Sequence, residues 1–274
     1  MKREDIQAKL ELMTGKWWFF LLFVLMQFVI PPIASKGFDW SEIGSITGEV
    51  LSNAIIYDYP MTYPIFKIMP IVLILSIACL ANRVNRFFSF YVGINYILFA
   101  FLQSIAVTEK YGLSIITLNL FMFIIVAAFW FWEAIVQRND LKPQKQPRWK
   151  YWVIPVAVLA FWYPCSIYGV VAIQDFNPIH LLTNEAGLTF CMMTPVYLSI
   201  LTLYCPRVNI ATLRVTALVG AIIGVYNVLV NFFFAPTLWW NGVLHMPLLT
   251  TAAYALILSF KKGDGEVDNE HSTI

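Results

Sequence analysis

Residues 63–85 read YPIFKIMPIVLILSIACLANRVN, and the end of this stretch recurs later in the chain. Residues 186–209, AGLTFCMMTPVYLSILTLYCPRVN, again place a proline inside an apolar run and an Arg-Val-Asn triplet after it. Pro70 and Pro195 are 125 residues apart, and Arg83 and Arg207 are 124 residues apart. Internal repeats with matching prolines are typical of membrane transporters built from two related halves. We therefore predict two parallel repeats.

The composition is that of a polytopic membrane protein. Hydrophobic residues make up 59% of the 274 residues and charged residues only 12%, which is more apolar surface than a soluble chain of this length can bury. Each apolar segment has about 18–25 residues, enough to cross roughly 30 Å of hydrocarbon as a helix. We predict an all-α fold with eight transmembrane helices, four per repeat, at residues 17–34, 63–81, 87–107, 112–136, 151–173, 186–204, 215–234 and 243–260.

The basic residues predict the orientation of these helices. With the N-terminus in the cytoplasm, fifteen of the 18 Lys and Arg residues fall in cytoplasmic segments, and only Lys36, Lys67 and Lys110 fall outside. Cytoplasmic loops of membrane proteins carry this excess of positive charge. We therefore predict a multi-pass protein of the cell membrane with both termini in the cytoplasm. Because topology accounts for the basic residues, nothing in their distribution favours nucleic acid as a partner.

The domain organisation follows from the repeat. We predict a first four-helix repeat, an extracellular insertion within it, a basic cytoplasmic linker, a second four-helix repeat and a disordered cytoplasmic tail, at residues 1–136, 35–62, 137–150, 151–260 and 261–274. The insertion contains apolar residues at helical spacing: Ile43, Ile46, Val50, Leu51, Ala54 and Ile55. This pattern predicts an amphipathic helix lying flat in the outer interface, either as a seal of the outer face or as a gate over a cavity.

Six polar residues of the second half are predicted to share a depth in the outer third of the bilayer or just above it. Polar groups are costly in hydrocarbon, so their coincidence favours a common binding site. Residues four apart on a helix are separated by about 6 Å along its axis, which lets them line one site. The candidate substrate-binding residues are His180, Asn184, Glu185, Asn227, Asn231 and His245. The alternative is that they only bond neighbouring helices or backbone carbonyls.

The sequence is compatible with two functions, and it gives less support to a third. The repeat and the polar cluster favour a transporter of a small solute or ion. A membrane-embedded enzyme would use His180 and His245 as acid and base on a lipid headgroup or a lipid-linked substrate. The weaker alternative is a non-catalytic subunit of a membrane complex. The expected partners are the bilayer and a small polar solute or lipid headgroup, and the oligomeric state is left open.

The sequence predicts no cofactor and no metal. Its four cysteines lack the spacing of a metal site, and no nucleotide-binding or hydrolase motif occurs. Two further charged residues fall in predicted spans. Lys67 is expected to extend outward or to pair with Asp58, Glu109 or Glu185. Glu133 is expected to be an interfacial carboxylate that reaches Arg138 or water.

Overall fold

The computed structural model describes residues 2–168 and 171–261, in which helices dominate. The helices of the first half are α1 (Arg3–Thr14), α2 (Trp17–Val29), α3 (Ile43–Ser52), α4 (Tyr63–Leu80), α5 (Asn85–Leu98) and α6 (Thr117–Val136). Those of the second half are α7 (Val153–Trp162), α8 (His180–Thr183), α9 (Phe190–Tyr204), α10 (Ile210–Leu229) and α11 (Trp239–Phe260). Of the predicted tail, all but Lys261 lies outside the described residues.

Two small antiparallel sheets accompany the helices. The first has three strands in the order β1 (Ile33–Ala34), β3 (Gly112–Ile115), β2 (Ile105–Thr108), and the second is a hairpin of β4 (Cys165–Tyr168) and β5 (Val171–Gln174). Both sheets are short, so the fold agrees with the all-α prediction.

The helices also agree with a membrane-embedded protein. Within the described residues, four helical segments are long and apolar enough to cross a membrane, or six if each of two strongly bent pairs counts as one span. One of the four, Pro60–Gln103, contains both α4 and α5. The two helices are separated near Ala81, whose backbone φ is 49°. The number of eight spans stays a prediction.

The fifth predicted span differs from the structure. Residues 151–173 were expected to be one helix, but α7 ends at Trp162 and the β4–β5 hairpin follows. Pro164 explains this end, because proline has no N–H to donate and disfavours helical backbone at the residue before it. Tyr163 accordingly has left-handed backbone, with φ 48° and ψ 67°. The predicted third and fourth spans are likewise shortened, because residues 105–108 and 112–115 form β2 and β3.

The amphipathic helix predicted in the insertion is present as α3. Its apolar side chains Ile46 and Val50 are fully buried and pack with Ala106, Tyr111 and Ile116. The apolar face of α3 is therefore covered by the three-stranded sheet and the residues around it. The exposed side of this unit carries an ion pair between Glu42 and Lys110, whose oxygen and nitrogen are 2.6 Å apart.

The two halves share part of their packing. Helix α5 packs closely against α6, and α10 packs in the same way against α11. Both α5 and α10 continue into a π-helical turn, at Phe99–Gln103 and Val230–Phe234. Helix α9, however, packs against α7 and α11, whereas its predicted counterpart α4 packs against α8 and the 3₁₀ turn Glu185–Leu188 of the other half. Superposition of the complete halves stays a prediction.

A buried polar cluster joins the halves at the predicted cytoplasmic end. The Glu133 carboxylate accepts hydrogen bonds from Asn85 Nδ2 (3.2 Å), Asn209 Nδ2 (2.9 Å) and the Asn139 backbone N–H (2.8 Å). Glu133 is completely buried, so the expectation of an interfacial carboxylate in contact with water is wrong. Gln7 completes the cluster by donating to Asn209 Oδ1 at 2.9 Å. The start of the predicted linker is thus held within the fold.

Candidate functional site

A hydrogen-bonded network connects the end of α7 to α10 and α11. Tyr163 donates its hydroxyl proton to Asn241 Oδ1 at 2.8 Å, and Asn241 Nδ2 donates to Asn231 Oδ1 at 2.9 Å. Asn231 Nδ2 in turn donates to the Asn227 carbonyl at 2.8 Å. The left-handed backbone at Tyr163 and the π-helical turn at Asn231 place these side chains within reach of α11. We call this set the outer network.

His245 belongs to the outer network and has a defined tautomer. Its Nδ1 lies 2.7 Å from the Asn241 carbonyl oxygen, and a carbonyl can only accept. Nδ1 therefore carries the proton in the neutral ring, which leaves a lone pair on Nε2. Nε2 has no hydrogen-bond partner among residues 2–168 and 171–261. A nearly buried imidazole thus has one nitrogen available to accept a hydrogen bond or a proton.

Asn227 and Asn184 extend the network through the backbone. Asn227 Nδ2 donates to the Ile223 carbonyl at 2.9 Å and lies 3.5 Å from Cys191 Sγ. Asn184 Nδ2 donates to the carbonyls of Trp162 (2.9 Å) and Tyr163 (3.2 Å). The last carbonyls of a helix have no partner within the helix. Asn184 therefore supplies the donors that the end of α7 needs, which is a structural role beside the network.

His180 takes part in a separate pair. Its Nε2 lies 2.8 Å from Asp175 Oδ2, which also accepts from Ser166 Oγ at 2.8 Å. The close contact with His180, then the hydrogen bonds from Ser166 and the Asn177 N–H, lower the pKa of Asp175 to about 2. The pair fastens the β4–β5 hairpin to α8. Among the described side chains no hydrogen bond links His180 to His245, so the acid–base pair of the enzyme hypothesis has no geometric support.

Glu185 begins the 3₁₀ turn Glu185–Leu188, which lies directly on α4. A Cβ atom at Gly187 would be 2.5 Å from the Phe66 carbonyl oxygen, so only glycine permits this close approach. Glu185 makes no ion pair within 4.0 Å among the residues described, yet its charge acts on the ammonium of Lys67. The turn that Glu185 begins thus packs on α4 from the side of the second half.

Lys67 is the residue whose importance sequence reasoning missed. Its side chain is completely buried, so the expectation that it extends outward is wrong. Nζ donates to the Phe161 carbonyl and lies 4.4 Å from the centre of the Phe161 ring. The available signal was a lysine inside a predicted span, since ionisable residues within membrane segments mark functional sites by default.

Comparisons of the chain with family models, with curated proteins and with solved structures find no match. Within residues 2–168 and 171–261, no three or more His, Cys, Asp or Glu side chains are grouped so that they could hold a metal ion.

Proposed function

We propose that this protein is a membrane carrier for a small polar solute, built from two four-helix repeats, with the outer network as its binding site. The observation that carries the proposal is the π-helical turn at corresponding ends of α5 and α10. π-helical turns are rare and occur frequently at functional sites. Each ends a helix next to a polar contact with another element: Gln103 Oε1 accepts from the Phe190 N–H at 2.9 Å, and Asn231 bonds Asn241.

The chemistry of the outer network suits a solute with hydroxyl, amide or amine groups. Amide side chains both donate and accept, so bonds between Asn231 and Asn241 can be exchanged for bonds to such a solute at little net cost. The free Nε2 of His245 accepts one further hydrogen bond from the solute. In the structure these side chains bond one another, so a solute would bind by exchanging those bonds for its own.

The proposed binding residues are the predicted set, with Tyr163 and Asn241 added. Asn227, Asn231 and His245 are its centre, whereas Asn184, Glu185 and His180 act around its edge. The orientation of the site toward the outside belongs to the same proposal and rests on the excess of basic residues in the predicted cytoplasmic segments.

Exchange of labelled solutes across proteoliposomes tests the carrier. The purified protein is reconstituted, and exchange of amino acids, polyols, amides and nucleosides is measured for Asn231→Ala and His245→Ala. Matched controls are Asn53→Ala, on exposed backbone beyond α3, and Met246→Ala, next to His245 but exposed. Loss of one buried hydrogen bond, about 1–3 kcal/mol, predicts at least a several-fold loss of exchange in the network variants only. No exchange by the wild-type protein, or equal exchange by all variants, overturns the proposal.

A lipid-modifying enzyme is the second candidate, favoured by the unprotonated Nε2 of His245, which can act as a general base. Mass spectrometry of lipids incubated with the protein tests it. A new lipid product that is lost in His245→Ala and kept in Met246→Ala would favour the enzyme over the carrier.

A further inference from the structure

The surroundings of the Lys67 amine contain some features that favour its neutral form and others that favour its charged form. A protonated amine has three N–H donors, and within the described residues only the Phe161 carbonyl accepts one. An ammonium with unfilled donors in an apolar interior carries a desolvation cost of several kcal/mol, which favours the neutral amine. The Phe161 ring at 4.4 Å and the nearby charge of Glu185 favour the ammonium instead.

The end of α7 also favours the ammonium. Its last carbonyls each receive a side-chain donor: that of Phe161 from Lys67, and those of Trp162 and Tyr163 from Asn184. The C-terminus of a helix carries partial negative charge and stabilises a cation beside it. Opposed effects of this kind let a change in hydration move the proton.

The titratable groups around α4 are the candidates for exchanging a proton with Lys67. Besides Lys67, the titratable or charged side chains on α4 and on the elements around it are Tyr57, Asp58, Tyr63, Cys79, Arg83, Tyr163, His180, Glu185 and Cys191. Of these, Glu185 is the one whose charge acts on Lys67. Glu185 is also partly exposed, whereas Lys67 is completely buried. The 3₁₀ turn that Glu185 begins packs on α4, where a Cβ atom at Gly187 would lie 3.1 Å from the Lys67 backbone nitrogen. Glu185 is therefore a partly exposed carboxylate beside the segment of α4 that carries Lys67.

We propose that Lys67 is a proton-binding site of this protein, with Glu185 as the group that exchanges the proton between the amine and water. In the step, Lys67–NH₃⁺ and Glu185–COO⁻ become Lys67–NH₂ and Glu185–COOH, and Glu185 then releases the proton to water without any electron transfer. The link to the outer network is α7, since Phe161 accepts from Lys67 while Tyr163, two residues on, donates to Asn241. Resting on the proposed carrier function, the inference makes the proton the ion coupled to solute movement.

The test measures charge displacement in proteoliposomes on a solid-supported membrane after a pH step, with no solute present. The variants are Lys67→Met, which keeps the length without the amine, and Lys67→Arg, which stays protonated. Lys36→Met at an exposed lysine is the matched control. We expect the displacement to fall at least tenfold in both Lys67 variants and to stay unchanged in Lys36→Met. Replacing a buried charge by an apolar side chain is often neutral or stabilising, so Lys67→Met is expected to fold.

The outcomes separate this proposal from the carrier function. A Lys67-dependent displacement without exchange of any solute supports the proton site and overturns the carrier. Solute exchange that is independent of pH, with no displacement in the wild-type protein, overturns the proton site and supports the carrier. A displacement that Lys67→Met and Lys67→Arg retain in full overturns the proton site. In Glu185→Gln the displacement should be slower, and an unchanged rate would remove Glu185 from the route.

Discussion

Removing the Glu133 side chain should destabilise the fold more than removing any exposed carboxylate does. In Glu133→Ala, three buried N–H groups lose an acceptor, one each on Asn85 Nδ2, Asn209 Nδ2 and the Asn139 backbone. Asn85 keeps its bond to the Asn139 carbonyl and Asn209 keeps its bond to Gln7 Oε1 through the other N–H of each amide. Each unsatisfied donor costs about 1–3 kcal/mol. Because water can enter the space left by the side chain, the lower half of the sum of about 3–9 kcal/mol applies, and we expect the free energy of unfolding to fall by roughly 3–6 kcal/mol.

Glu133→Gln should cost less, because its carbonyl oxygen can still accept from Asn85 and the Asn139 N–H. Its new NH₂ group would face Asn209 Nδ2, so two donors would meet with no acceptor between them. This mismatch should lower the free energy of unfolding by about 1–3 kcal/mol. Asn209 cannot turn its amide without cost, since its Oδ1 accepts from Gln7 Nε2 and the Thr212 N–H. The expected order of stability is therefore wild type, then glutamine, then alanine.

The assay is unfolding in mixed micelles with increasing dodecyl sulfate, followed by tryptophan fluorescence. Trp130 and Trp132 lie on the same helix as Glu133 and report on its environment. Glu49→Ala and Glu49→Gln, at a partly exposed position of α3, are the matched controls. The reasoning is refuted if Glu133→Ala is no less stable than Glu133→Gln, or if both lie within about 0.5 kcal/mol of the controls.

Three further predictions concern other parts of the molecule. Gly187→Ala should lower the stability because its Cβ would meet backbone of α4 at 2.5 Å, whereas Gly48→Ala, with nothing within 4 Å, should not; equal melting temperatures would contradict this. The pKa of Asp175 is lowered from 3.8 to about 2, chiefly by its close contact with His180, so the pair stabilises the β4–β5 hairpin above pH 3.8 and loses this effect as the pH falls toward 2. Pepsin should therefore cut the hairpin faster at pH 2 than at pH 4 relative to an unrelated substrate, and an unchanged relative rate speaks against it. With the cytoplasmic linker as predicted, Lys145→Cys should resist an impermeant maleimide outside intact cells, whereas Met61→Cys, 94% exposed, should react; labelling of both would reject the topology.

Much of the helical core could be predicted from apolar runs alone. The runs at residues 63–81 and 186–204 contain α4 and α9, and both prolines lie inside the helices, as the repeat suggested. The run at 151–173 was read as one helix because hydropathy does not distinguish an apolar strand from an apolar helix. Pro164 is the local signal that α7 ends early, but the length of the apolar run favours a continuous helix.

The sequence predicted a common membrane depth for the candidate site residues, but it could not predict which side chains contact one another. Helical spacing suggested that His180 and Asn184 lie one turn apart, yet α8 ends at Thr183 and Asn184 has extended backbone, with ψ 170°. The two side chains therefore leave the helix axis in different directions. Tyr163 and Asn241 could not be found from the sequence, because their contact joins positions 78 residues apart and each lies among aromatic residues.

The repeated triplet has a physical explanation in Glu133. A carboxylate has two oxygens, and here one accepts from Asn85 of the first triplet and the other from Asn209 of the second. Arg207 adds a 2.7 Å ion pair to Asp140, in the segment that follows α6. The predicted cytoplasmic end is therefore closed by the buried hydrogen bonds of Glu133 and by the partly exposed Arg207–Asp140 ion pair, and hydrogen bonds between ionised groups are about twice as strong as neutral ones. In the outer network, toward the other end of α10, the hydrogen bonds join the Tyr163 hydroxyl, the Asn241 and Asn231 amides and the His245 ring without a carboxylate. For the proposed carrier, this difference predicts that the outer end opens before the cytoplasmic end.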